Sequence, residues 1–221
     1  MIKKLIAFIL PWRLKRWFLI RFFGYQIDPT ARIGFAWVFP KMLTMESSSK
    51  IGHFTVAIHL DRIKMGHAST IGRSNWITGF PTTSKSLHFG HQLETRKSEL
   101  LLGDHSAITK QHHVDCTNSI IIGKFVTVAG YHSQLLTHSI DIEACIQDSY
   151  PIRVGDYCFI GTNSVILGGA SLPAYSVLGA KSLLNKAFDQ EYALYAGAPA
   201  TFIKTLNKEA KYFSRSTGYV I

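Results

Sequence analysis

Cysteine is scarce in this 221-residue chain: Cys116, Cys145 and Cys158 are the only three, an odd count without CxxC spacing. That pattern argues against a disulfide framework and a cysteine-based zinc site, and it fits a reducing cytoplasm. Acidic side chains are missing from the N-terminal segment, where none precedes Asp28. A long apolar run is missing too. The longest uncharged stretch there, Leu5 to Trp12, falls far short of the ~20 residues of a membrane span. No small-residue cleavage site follows it, so a secretory signal is not expected. What the chain has instead is an excess of base over acid, 24 Lys and Arg against 14 Asp and Glu, for a formal charge of +10. Anionic partners follow from that: nucleic acid, phosphorylated cofactors or an acidic membrane surface. An apolar fraction of 47% suits one folded domain with a substantial core.

Six of the cations, Lys3, Lys4, Arg13, Lys15, Arg16 and Arg21, stand among Trp12, Trp17, Phe18, Phe22 and Phe23. The segment reads as a basic amphipathic helix broken or kinked at Pro11. Two placements fit it. Residues 2–23 rest on an anionic lipid surface with the aromatics at headgroup level, or the helix packs across one end of the main domain. Nucleic acid is not expected as a partner, because the cations lie in an apolar helix and no nucleic-acid module is visible.

The rest of the chain counts in sixes. Val154, Ile160, Ile166, Leu172, Leu178 and Leu184 are aliphatic, and Cys158, Ser164, Ala170, Ser176 and Ser182 follow four places after each of the first five. On a helix, six steps of roughly 100° scatter such residues around the axis. Six is a multiple of the strand period, however, and a chain coiled as three short strands per turn brings every sixth side chain inside a triangular prism. Small residues at the second inward position let the chain round the corners. The period recurs upstream at Ile27, Ile33, Phe39, Met45, Ile51, Ala57 and Ile63, then restarts two residues late at Met65, Ile71 and Ile77. It resumes at Leu102, Ile108, Val114 and Ile120, and slips by two again to Ile122 and Val128.

Two interruptions, residues 81–99 (PTTSKSLHFGHQLETRKSE) and 137–151, break the count. These are expected to be loops thrown out from the coil, and loops on a rigid scaffold are where chemistry collects. The expected organisation is a helix over 1–26, an all-β solenoid of hexapeptide repeats over 27–204, and a short tail over 205–221.

The run VGDYCFIGTNSVILGGASLPAYSVLGAKSLLNK, together with AGAPATFIK, resembles the hexapeptide-repeat acyltransferases. Within that family the likeness points to acetyltransferases of bacterial exopolysaccharide and O-antigen synthesis and to galactoside and maltose acetyltransferases. It is strong over residues 102–204 and weaker before them. The resemblance implies a left-handed parallel β-helix, against the usual right-handed crossover. It also implies a homotrimer with active sites between subunits, and acetyl-CoA as acyl donor with no metal.

In LLTHSID, residues 135–141, the resemblance puts the catalytic histidine at His138. The chemistry suits it. A sugar hydroxyl is too weak an acid to attack a thioester unaided, and a neutral imidazole accepts its proton near neutral pH. A backbone N–H could stabilise the oxyanion, and no covalent intermediate is needed. In KQHHVDC, His112, His113 and Asp115 could line the acceptor pocket or orient His138; the two histidines could equally cap a coil corner. Asp141 could fix the tautomer of His138 or start the loop. Many relatives carry a second histidine where this chain has Ile140. For the cofactor, the resemblance marks Thr162 and Ala180, one coil apart, then Asn185 and Lys186, and Lys204 in TFIK. The two lysines would neutralise phosphates as point charges. Asn185 replaces a usual Thr, and Leu172-Pro173 replaces an IG pair.

Together these imply an O-acetyltransferase acting on a hydroxyl of a surface-polysaccharide precursor. The saccharide is lipid-linked if residues 2–23 hold the enzyme at the inner face of the cytoplasmic membrane. One rival is a lyase of the gamma carbonic anhydrase kind, sharing this prism fold. Its zinc needs three converging imidazoles, and His132 and His138 stand six apart where that family has five. The other rival is a non-catalytic solenoid docked through its basic helix.

Overall fold

A computed structural model describes residues 1–84 and 86–220. From Gln26 onward the chain winds as a left-handed parallel β-helix with three sheets as its faces. The first face holds seven strands, Gln26–Ile27, Met42–Met45, Arg62–Met65, Glu99–Leu102, Ile120–Ile122, Ile152–Val154 and Ser171–Leu172. The third face also has seven, from Trp37–Val38 to Leu183–Leu184. The second has nine, ending in the antiparallel pair Ala193–Gly197 and Ala200–Thr205.

Each inward slot stacks on its counterpart one coil away. Ile71, Ile108, Val128 and Ile160 form one such ladder on the second face, all fully buried. The two-residue slips in the period have a simple cause. Strands such as Arg62–Met65 and Ile120–Ile122 place two residues inward, so Ile63 stacks on Leu100 and Ile120 while Met65 stacks on Leu102 and Ile122. The coil lengthens without losing register. One position departs from the expected hexad: Val38, not Phe39, enters the ladder opposite Ala57. Phe39 instead packs beside Trp37 and Phe23.

At the corners, non-glycine residues sit at positive φ, among them His105, Phe125, Tyr157, Tyr175 and Tyr192 at φ 52–57°. That backbone is unfavourable for a side chain with a Cβ, and stacking offsets it: successive rings of these residues lie 4.6–5.4 Å apart, centroid to centroid. The small inward residues are buried beside the turns, and their hydroxyls satisfy corner carbonyls, as Ser164 does for Gly161 at 3.0 Å. The C-terminal segment runs back along the aromatic corner. Tyr212 donates to the Cys158 carbonyl, and the Arg215 guanidinium lies 3.8 Å from the Tyr212 ring centre.

Of the two forms expected at Pro11, a break or a kink, the N-terminal segment shows the break: it is two helices, α1 (Ile2–Ile9) and α2 (Trp12–Phe23). Leu10, ahead of Pro11, is driven out of the helical region to ψ 141°. Gly24 ends α2 in the left-handed conformation at φ 69°. The pair covers the open end of the first coil with Ala7 and Leu19 fully buried. Lys15 donates to the carbonyls of Gly34 and Ala36, and Arg16 to that of Ile27. Two of the six N-terminal cations therefore satisfy edge carbonyls that would otherwise lie unpaired. Burial lowers the Lys15 pKa to about 8. The outer side mixes apolar residues with cations: Ile2, Ile9 and Trp17 are exposed at 75%, 73% and 59%, and Lys3, Arg13 and Arg21 are exposed as well.

Because Ile108 is fully buried between Ile71 and Val128, Ile108→Ala is expected to destabilise the protein by about 2–5 kcal/mol. Guanidinium unfolding measures this, and a loss well under ~1 kcal/mol would contradict a close-packed ladder.

Candidate active site

Both interruptions leave the solenoid at the same corner, between the third and first faces. The first follows Trp76–Thr78 and returns at Glu99–Leu102; the second follows Gln134–Leu136 and returns at Ile152–Val154. Two coils separate their roots, about 10 Å at the usual strand spacing, so they pack together. The second is a β-hairpin, His138–Asp141 against Ile146–Ser149. The first is mostly irregular, and its Gln92 accepts from the Ser149 hydroxyl at 2.7 Å while donating to the Ser149 carbonyl. Asn118, on the coil between the roots, donates to the same carbonyl at 3.1 Å.

Between these roots lies Asp115, only 4% exposed. Its carboxylate accepts from the hydroxyl and N–H of Thr117, from Thr137 and from the N–H of His138. It also accepts from His138 Nδ1 at 2.8 Å. That contact fixes the proton on Nδ1 and leaves Nε2 with its lone pair free. Burial alone would push the Asp115 pKa up, but the hydrogen bonds from His138, Thr117 and Thr137 outweigh it and the carboxyl ionises below its usual range. The same bond raises the His138 pKa above 6.5 against a smaller opposing effect of burial. The imidazole is 44% exposed, so it can reach a substrate.

Two residues of the first loop complete the surroundings, and neither was singled out in the sequence. Phe89 stands edge-on to the His138 ring at 6.1 Å. Arg96, 3% exposed, lies 4.8 Å above the Phe89 ring and donates to the Thr117 carbonyl at 2.6 Å. Only their position in an interruption of the hexad signalled them.

The other residues marked in the sequence are spread out. His113 is exposed on the third face, paired in register with Trp76 and Gln134. His112 is buried: Nδ1 accepts from Ser133 N–H and Nε2 meets the Thr109 hydroxyl. Burial and the nearby His132 lower its pKa to about 4, so it is a neutral corner residue. Asp141 accepts from Ala144 N–H at the hairpin tip, and the tautomer-fixing contact to His138 comes from Asp115 instead. Asn185 and Lys186 follow Leu183–Leu184 at the edge of the third face from which the His138 hairpin departs. Thr162 and Ala180 lie at the opposite edge, where the Thr162 hydroxyl is held by the backbone of Tyr131. Lys204 is exposed on the second face, opposite Leu194. Among the described residues no group of three His, Cys, Asp or Glu side chains is arranged to hold a metal ion.

No protein-family model and no curated protein matches this chain. Solved structures do. A hexapeptide-repeat acetyltransferase from Vibrio cholerae O1 biovar eltor, solved with acetyl-CoA, is 26% identical with a TM-score of 0.51. The match covers 65% of this chain and 70% of that one. A polysialic-acid-specific acetyltransferase shares the fold at 17% identity and TM-score 0.52, over 82% of this chain and 80% of that one. An N-acyltransferase from Bacillus cereus, solved with dTDP and coenzyme A, does so at 14% and 0.50, over 85% and 84%. With its coil and thrown-out loops, the chain shares the left-handed β-helix fold of these hexapeptide-repeat neighbours and, like them, is an acyltransferase.

Proposed function

We propose that the protein transfers acetyl from acetyl-CoA to a hydroxyl of a bacterial surface saccharide, with His138 as general base and Asp115 as its positioning residue. The observation that carries this is the pair itself: a buried carboxylate bonded to Nδ1 of a half-exposed imidazole on an extruded hairpin. Nε2 takes the acceptor's proton as its oxygen attacks the thioester carbonyl. The carbon–sulfur bond then breaks, and the proton passes from the imidazolium to the departing thiolate. A saccharide acceptor is favoured by the polysialic-acid-specific neighbour, and acetyl-CoA by the Vibrio cholerae complex.

Asn185 and Lys186 would meet the donor on the edge that carries His138, with Lys186 answering a phosphate. Thr162 and Ala180 lie across the width of the third face, so one subunit alone does not gather the whole set. A homotrimer, bringing one subunit's His138 edge near another's Thr162 edge, is the assembly this distribution favours. Lys204 would contribute its charge from the second face.

The outer side of α1 and α2 supports a peripheral membrane position. Exposed Ile2, Leu5, Ile9, Leu14 and Trp17 share it with Lys3, Arg13 and Arg21, and no helix among the described residues is long and apolar enough to cross a bilayer. This is the composition of an interfacial surface.

Two tests follow. Thiol release from acetyl-CoA should depend on a glycan acceptor, with one acetyl added to the product by mass. His138→Ala is expected to cut turnover by about 10²–10⁴ while the oligomer stays intact. Since the base must be unprotonated and its pKa is raised, kcat/KM should climb with pH through an apparent pKa above 6.5. Asp115→Asn should move that acid limb to lower pH and reduce turnover by about 10²-fold or more. An unmoved limb would remove the dyad from the mechanism. Separately, the protein should sediment with vesicles containing anionic lipid, and Trp17→Ser combined with Ile9→Ser should weaken this. Equal sedimentation of the double variant would show that the helices serve only as an end cover.

A further inference from the structure

Two cavities open along the outer side of the first face, beneath the loop of residues 79–98. One, of about 380 Å³, is lined by Met42, Asp61, Arg62, Arg96 and Leu101 among others. The second, of about 400 Å³, reaches Asn118, Tyr150 and Arg153. Lys97 and Glu99 line both, so the two form one groove. Its central stretch, with Met42 one strand beyond, crosses the adjacent strands Arg62–Met65, Glu99–Leu102, Ile120–Ile122 and Ile152–Val154. At the usual strand spacing that is about 14 Å, the length of roughly three sugar units.

Asp61 and Arg96 both line the first cavity, and each has one buried polar atom without a hydrogen-bond partner among the described residues, Asp61 Oδ1 and Arg96 Nε. Asp61 Oδ2 accepts from the N–H and hydroxyl of Thr82, and Arg96 Nη1 donates to the carbonyls of Phe80 and Thr117. Buried polar groups are nearly always paired, so an acceptor and a donor left over in the same cavity point to a ligand that supplies both. A hydroxyl does so: its proton goes to the carboxylate oxygen and its lone pair takes the guanidinium N–H. Met42 and Leu101 offer apolar surface for the C–H side of a sugar ring. Arg62, Arg96, Lys97 and Arg153 outnumber Asp61 and Glu99, and Glu99 is itself engaged by the Ser119 hydroxyl and faces Arg62 at 3.9 Å. The groove therefore tolerates acidic sugars.

Its far end is the foot of the hairpin that carries His138. Ser149 and Tyr150 line the second cavity, and Ser149 is the cross-strand partner of His138. We propose that this groove holds the stretch of acceptor chain next to the sugar being acylated, making the enzyme selective for oligosaccharides of about three units or more over single sugars. This rests on the saccharide-acceptor assignment above and adds where the rest of the chain lies.

The test uses the full-length His138→Ala protein on an array of bacterial surface oligosaccharides graded from one to six units, so that binding is measured apart from turnover. Retention is expected to rise with length up to about three units. Asp61→Asn keeps an oxygen for Thr82 but presents an amide donor to the cavity; it and Arg153→Ala should each weaken retention about 10-fold. The rise of kcat/KM with acceptor length should flatten in the same variants on an active background. Retention of no glycan, or retention unchanged in both variants, would overturn the groove. Glycans held by the groove but never acetylated by the active enzyme would support it while overturning the acetyl-transfer assignment.

Discussion

The site depends on the register between two parallel strands, His113–Asp115 and Gln134–Leu136. Val114 and Leu135 stack inside the prism, which aligns Asp115 with Leu136. Two residues further on, the chain leaves the coil with His138 lying over the carboxylate. Residues 23 apart in sequence meet because the coil between them closes on itself. A slip of one position would turn Val114 outward and carry Asp115 to the wrong side of the strand. The ladder that fills the core therefore also sets the hydrogen bond that orients the imidazole.

Burying Asp115 is unfavourable for its charge, and the fold compensates locally. Thr117 and Thr137 each give it a hydroxyl and an N–H, and His138 gives it an N–H in addition to the ring. These donors belong to the corner where both loops are rooted. The interactions that close the corner are thus the ones that keep the carboxylate ionised. Its effect on His138 has two sides. A raised pKa makes the imidazole a stronger proton acceptor but leaves less of it unprotonated at neutral pH. Fixing Nε2 as the free nitrogen is the contribution that carries no such penalty.

Much of the coil was legible because its constraint is periodic. An inward slot must be filled at every turn, so the aliphatic set from Val154 to Leu184 announces itself, and the small set marks the corners. The slips by two were visible as slips but not as strands with two inward residues, since Ile63 and Met65 look alike as apolar residues. Phe39 was misplaced for a related reason. An aromatic in phase with the hexad resembles core, and only the packing of Phe23 and Trp37 beside it moves the ladder to Val38. The loops were legible as interruptions only. Nothing in the spacing says that Gln92 meets Ser149, that Arg96 lies over Phe89, or that Asp115 rather than Asp141 faces His138. Such contacts are set by where the chain leaves and re-enters the prism.

The two extruded loops act on the site in different ways because of how they are built. The hairpin is anchored at His138 and Ser149 by strand pairing, so its base is stiff while its tip, with Ile142 exposed at 82%, projects into solvent. The first loop has little regular structure, and Arg96 holds it down together with Gln92 and Thr82. One guanidinium reaches the Phe80 carbonyl within the loop and the Thr117 carbonyl at the corner, while its face covers Phe89. Thr117 in turn donates to Asp115. The loop is thereby tied to the same corner residue that supports the carboxylate, and Phe89 is pressed to the edge of the His138 ring. A loop without strands of its own gains a fixed position relative to the base by sharing that base's supports.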